Sequence, residues 1–184
     1  MVHGVFTIGH SSRTLEDFIA ILEAWSIKCL ADIRTVPRSR ANPWFNRDSL
    51  PSALAPHGIS YEHLAALGGL RRAHPDSPNT AWRNLSFRGY ADYMGTPDFA
   101  NGIESLLAIA SGKKTAIMCA EAVPWRCHRS LISDALVVRG WQVLDIFTEH
   151  KATPHKLTKF ARVDGMTITY PPEQPVLFDD KVTR

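Results

Sequence analysis

No run in the chain approaches the roughly 18 apolar residues that a membrane span requires. The N-terminal stretch MVHGVFTIGHSS has no basic segment followed by a long apolar one, so neither a spanning protein nor a signal peptide is expected. Cysteine is scarce. Cys29, Cys119 and Cys127 are an odd number without paired spacing, which argues against a disulfide framework and for reduced thiols in the cytoplasm. The net charge of +3 is too small to require a polyanionic partner. Internal repeats, low-complexity tracts, P-loops and dinucleotide fingerprints are all missing.

What is present is 184 residues, 45% apolar and 21% charged, enough for one domain with a sizeable core. Short β-rich runs alternate with helical patterns. VFTI (5–8) reads as a buried strand leading into GHSS, and KCLADI (28–33), GISYEHL (58–64), TAIMC (115–119) and WQVLDIF (141–147) read as further strands. TLEDFIAILEAW places Leu15, Phe18, Ile19 and Leu22 on one helical face, with Thr14 and Asp17 forming a capping-box pattern. Thr96 and Pro97 open a helix that stops at Gly112. Another helix is expected from about Trp125 to Arg139, and a last one from Thr153-Pro154 through Ala161. Residues 36–57 and 65–95 read as long irregular loops rich in Pro, Arg, Asn and aromatics.

Strands alternating with helices predict an α/β domain over 1–162, a mostly parallel sheet flanked by helices in a Rossmann-like three-layer arrangement. Residues 163–184 read as an extended C-terminal tail. Ligands of such sheets bind beyond the carboxyl ends of the strands. Those ends carry Gly9, His10 and Ser11, then Asp32 and Arg34, then Cys119 and Glu121, and finally Thr148 to His150.

TIGHSSRTLEDF, ADIRTVPRSRANPWFN, YEHLAALGGLR, SFRGYADYM and CAEAVPWRCHRSLISD together resemble the bacterial family catalogued as domain of unknown function 488. The resemblance runs from residue 5 to about 161 and implies an α/β fold. It brings no chemistry, because the family's activity is not established.

MCAEAVPWRCHRS, residues 118–130, concentrates the reactive side chains. As a thiol site, Cys119 is the candidate nucleophile, facing a helix N-terminus near Arg126 and Arg129, which favour a thiolate. Glu121, His128 and Asp32 are the candidate acid and base groups. As an anion site, Gly9, His10 and Ser11 with Arg34, Arg38, Arg126 and Arg129 would bind phosphate through backbone N–H groups and guanidinium forks. LGGLRR (67–72) adds a backbone cradle.

As a metal site, Cys119, Cys127, His128 and His10 supply enough ligands for a divalent ion, but no C-x2-C or H-x3-H pair preforms a half-site. Adjacent residues on a helix also diverge by about 100°, which would point Cys127 and His128 apart. No cofactor is therefore expected, and Cys127 reads as core. The aromatics among the basic loops, Trp44, Phe45, Trp82, Phe87 and Tyr90, suit either stacking on exposed bases or anchoring of the loops.

The tail holds Gln174, Leu177 and Phe178 in a Q-x-x-L-F pattern, which resembles the peptide by which bacterial repair and replication proteins hold the sliding clamp. The expectation is an enzyme acting on nucleic acid or a nucleotide-like phosphate ligand. A non-catalytic clamp-associated accessory protein and a thiol- or metal-dependent sensor are the alternatives.

Overall fold

A computed structural model describes residues 4–172. Its centre is a six-stranded sheet built from β1 (Gly4–Gly9), β2 (Cys29–Asp32), β3 (Ser60–His63), β4 (Thr115–Cys119), β5 (Gln142–Thr148) and β6 (Lys151–Pro154). The order is β3-β2-β4-β1-β5-β6, parallel throughout except for β6, which runs antiparallel to β5. The helices are α1 (Leu15–Ala24), α2 (Leu50–Leu54), α3 (Leu85–Tyr93), α4 (Pro97–Gly112) and α5 (Arg129–Val138). Beyond the sheet, β7 (Arg162–Asp164) and β8 (Thr167–Thr169) form a hairpin.

Side chains alternate across a strand, so each central strand feeds two cores. Phe6, Ile8, Ala116 and Met118 join Phe18, Ile19 and Leu22 of α1 and Leu50 and Leu54 of α2. Val5, Ile117 and Cys119 point the other way, into a core with Phe99, Ile103 and Leu106 of α4 and Leu131, Ile132 and Ala135 of α5. Strands buried on both faces read as continuous apolar runs, which is why TAIMC and VFTI were legible. The caps are as expected: the Thr14 hydroxyl accepts from Asp17 N at 3.1 Å, and that of Thr96 from Phe99 N at 3.3 Å.

Three expectations are corrected. The segment after Thr153 is no helix. Residues 151–154 form the edge strand β6, and His155 is drawn onto Asp134, which ties the following irregular segment to α5. Within 65–95, residues 85–93 are helical, with Phe87, Tyr90, Ala91 and Met94 forming a stripe that packs on the core. Asn84 caps that helix by accepting from Ser86 N and Phe87 N, and Gly89 lies against the backbone of residues 71–73. Finally, α5 begins at Arg129 rather than Trp125. Pro124–Arg126 make a 3₁₀ turn, and Cys127 is extended at φ −137°, ψ 146°.

Packing also continues past residue 162. Ile168 and Tyr170 are buried, and the Tyr170 hydroxyl donates to Asp134 at 2.8 Å. Gln174, Leu177 and Phe178 lie outside the described residues.

Candidate functional site

The chain leaves β1 toward β2 on one side and leaves β4 toward β5 on the other. This reversal between neighbouring strands opens the crevice in which parallel sheets bind ligands. Here β1 and β4 stay joined beyond their ends: His10 N donates to Cys119 O and Ser11 N to Ala120 O, both at 2.9 Å. A Cβ on Gly9 would stand 1.8 Å from Glu121 O, so glycine alone permits this approach. Ser11 holds a left-handed backbone at φ 50°, a conformation that costs a non-glycine residue about 1–2 kcal/mol. Its carbonyl is fixed by donors from Asn42 Nδ2 and His10 Nδ1.

A cleft of about 530 Å³ lies there, walled by His10, Ser11, Arg34, Arg38, Asn42, Gly69, Cys119, Glu121, Arg126, Cys127 and His128 among others. Nine of the residues singled out in the sequence therefore share one wall. Thr148 and His150 do not; they line a separate hollow with Asp17 and Ile21.

Gly9, Asp32 and Arg129 lie behind the wall, and several of the candidate residues are engaged with one another. Asp32 is fully buried and does not reach the cleft; its oxygens accept from Arg34 Nε and Nη2 and from the Tyr61 hydroxyl at 2.7 Å. With its lone pairs engaged it positions Arg34 rather than exchanging protons with a ligand. Arg34 is in turn spent on Asp32 and on Phe45 O at 2.7 Å. His10 stacks on Phe45 at 4.4 Å, donates through Nδ1 to Ser11 O and accepts at Nε2 from Arg34. Burial, reinforced by the Arg34 and Arg129 charges, lowers its pKa to about 4, so it is a neutral ring rather than an anion-binding cation.

Arg129 is 1% exposed, donates through Nη2 to Glu121 O at 2.7 Å, and leaves its buried Nε without a hydrogen-bond partner among the described residues. No carboxylate bridges it among the described residues. Two cations stay available to a ligand. Arg126 is exposed with no hydrogen bond or ion pair among the described residues, and Arg38 has only an exposed 3.4 Å contact with Asp48, an interaction worth under about 1 kcal/mol. Glu121 is exposed on the cleft wall.

The sulfur atoms are where the helix start matters. Because Cys127 and His128 precede α5, the helical divergence does not separate them. Cys127 Sγ lies 3.7 Å and Cys119 Sγ 4.0 Å from His128 Nδ1. His128 Nε2 is 3.2 Å from Ile33 O; a carbonyl can only accept, so Nε2 carries the proton and the Nδ1 lone pair faces the sulfurs. Tyr90 packs beside the ring at 4.9 Å. On the loop side, a Cβ on Gly69 would meet His128 Nδ1 at 2.5 Å. In the LGGLRR pair, Gly69 permits that contact and Gly68 permits the approach of Thr35, where a Cβ would meet Oγ1 at 2.5 Å.

The two thiols also bias one another. The hydrogen bond between them pulls the Cys127 thiol well below its usual range, helped by His128 and Arg129. The same bond, with burial, pushes Cys119 far up. Of the two, Cys127 has the surroundings that favour a thiolate, and Cys119 lies beside it on the cleft wall. Cys127 is also core in the plain sense, 3% exposed. Cys29 is fully buried, away from the cleft.

Most of the interleaved aromatics anchor loops. Phe45 is buried, Trp82 stacks on Phe87 at 4.8 Å, and the Tyr90 hydroxyl donates to Leu67 O. Trp125 is 65% and Trp44 36% exposed, leaving two rings near the basic rim. Asn42 and Thr35 were not singled out in the sequence, since nothing in their local pattern marks them; folding brings them to the wall.

No curated protein and no solved structure matches the chain. The family described as "Domain of unknown function DUF488" matches residues 14–136, about two-thirds of the sequence and the stretch that carries α1, the arginine loops, β4 and most of α5. The chain belongs to that family.

Proposed function

We propose that the cleft binds a nucleotide-sized, phosphate-bearing ligand and that the Cys119–Cys127–His128 cluster acts on it, so that the protein is an enzyme. The observation that carries this reading is one coincidence of place. A crevice at the switch between β1 and β4 holds two thiols, an imidazole with an inward lone pair, and the available cations Arg126 and Arg38. The buried Arg129, lacking a carboxylate partner among the described residues, adds positive potential beneath the same point. Anions gain most where such donors are preorganised and water is scarce.

Calorimetric titration with nucleoside phosphates tests it. Arg126→Ala is expected to weaken binding by about tenfold or more, in line with a charge-assisted hydrogen bond, while leaving the circular dichroism unchanged. No binding of any nucleoside phosphate, or equal affinity in the variant, refutes the reading. Exposed Trp125 beside Arg126 makes short single strands the second probe. Tighter binding of an oligonucleotide with a steep salt slope would move the ligand from nucleotide to nucleic acid.

A further inference from the structure

Three donor atoms converge on one point of the cleft wall: the Sγ atoms of Cys119 and Cys127 and a ring nitrogen of His128 lie within 4.8 Å of one another. We propose that these three residues bind a zinc ion whose fourth position opens into the cleft. This deepens the reading of the cleft as the functional site and rests on it.

The donor set suits the ion. Two thiolates and an imidazole are ligands that zinc prefers, and three protein ligands with one open position distinguish catalytic from closed structural sites. Zinc–sulfur bonds of about 2.3 Å and zinc–nitrogen bonds of about 2.0 Å make tetrahedral edges of about 3.5–3.8 Å. The sulfur-to-Nδ1 distances of 3.7 and 4.0 Å need to close by about half an ångström or less, and the sulfur–sulfur edge, within 4.8 Å, by about 1 Å or less.

The surroundings are those of a ligand set rather than of a chance cluster. The proton on Nε2 goes to Ile33 O, which fixes the ring and leaves Nδ1 to bind; metal-bound histidines use such a partner almost always. Gly69 and Tyr90 hold the ring from the loop and from α3. The backbone N–H of Arg129 donates to Cys127 Sγ at 3.5 Å, as second-layer donors to metal thiolates do.

Charge is consistent too. Zinc and two thiolates sum to zero, and the buried Arg129 then biases the open position toward an anionic oxygen of a ligand or hydroxide. His10 does not complete the set, because both its nitrogens are engaged by Ser11 O and Arg34. The fourth ligand is therefore water or an oxygen of the cleft's ligand.

The experiment uses the full chain purified from zinc-supplemented medium. Elemental analysis is expected to find one zinc per chain, removed only by a strong chelator. Replacement by cobalt(II) is expected to give a near-ultraviolet thiolate-to-metal charge-transfer band and the visible bands of a tetrahedral ion. Cys119→Ser and Cys127→Ser should each lose stoichiometric metal and most of the charge-transfer band; Cys29→Ser should keep both. Gly69→Ala, which displaces the ring without removing a ligand, should lower zinc affinity roughly 10–100-fold.

If a serine variant does not fold, alkylation decides in the native chain: zinc should slow the reaction of Cys119 and Cys127 with iodoacetamide. A folded, reduced chain that takes up neither zinc nor cobalt, or identical alkylation rates with and without zinc, overturns the site. Nucleotide titration of the metal-free chain separates the two proposals. Arg126-dependent binding without metal uptake sinks the zinc site alone, whereas metal uptake without nucleotide binding sinks the ligand assignment alone.

Discussion

At the scale of single residues, the outcome turns on which atoms are already engaged. Asp32, Arg34 and His10 look reactive as letters, yet each is consumed by the others: carboxylate to guanidinium, guanidinium to imidazole, imidazole to the Ser11 carbonyl. Arg126 stays available because no such partner reaches it among the described residues, and the His128 Nδ1 lone pair meets only the two sulfurs there. A second group of buried charges lies away from the cleft. His155 faces Asp134 at 2.8 Å and Asp145 at 3.6 Å, with the Tyr170 and Thr7 hydroxyls donating to the same two carboxylates.

Burial opposes charging of His155, but the two carboxylates outweigh it and raise its pKa to about 9 from 6.5. A group with a raised folded-state pKa stabilises the fold fully below its unfolded value and loses that contribution as pH rises through the folded value. Stability is therefore expected to fall between pH 6.5 and about 9, by at most on the order of 3 kcal/mol. In His155→Gln, which cannot charge, denaturant midpoints across that window should lose this slope. An unchanged slope would show that other groups govern it.

At the scale of elements, local signals worked where an element's ends and its buried face agree. α4 has Thr96 as cap, Pro97 at its first position and Phe99, Ile103 and Leu106 buried, and its boundaries were readable. Thr96→Ala should cost about 1 kcal/mol, measured as a lowered urea midpoint with unchanged slope, whereas Ser105→Ala on the exposed face should change little. Elements whose ends are set by distant partners were not readable. Residues 153–161 carry a helix-like opening, but the carboxylate that captures His155 lies on α5, some twenty residues earlier in sequence. Asn84 caps α3, whose stripe of Phe87, Tyr90, Ala91 and Met94 is short and set among polar residues, so its register depends on the core it packs on and on Gly89 lying against the 71–73 backbone.

At the scale of the whole molecule, the sheet order brings together segments far apart in the chain. β1 and β4 are neighbours, and their loops meet residues 34–42 and Gly69 around one cleft. No helix among the described residues is long and apolar enough to cross a membrane. The Q-x-x-L-F segment at 174–178 is a separate proposal: a sliding-clamp partner held through Leu177 and Phe178. Deleting those five residues should abolish clamp affinity in surface plasmon resonance while leaving nucleotide binding untouched. Equal clamp affinity in the truncated chain would remove that partner.

The amino-acid sequence by itself determined the layers, because strands buried on both faces must be apolar throughout and amphipathic helices must cover them. It also placed reactive residues at the carboxyl ends of the strands, and its motifs placed the chain in its family. Only the tertiary structure decided what those residues do. Starting α5 two residues after Cys127 swung that sulfur and the His128 ring onto Cys119, where a helix begun at Trp125 would have turned them apart. A local pattern encodes which face of an element is apolar. It does not encode which lone pairs long-range partners leave free, and the chemistry of MCAEAVPWRCHRS depends on those.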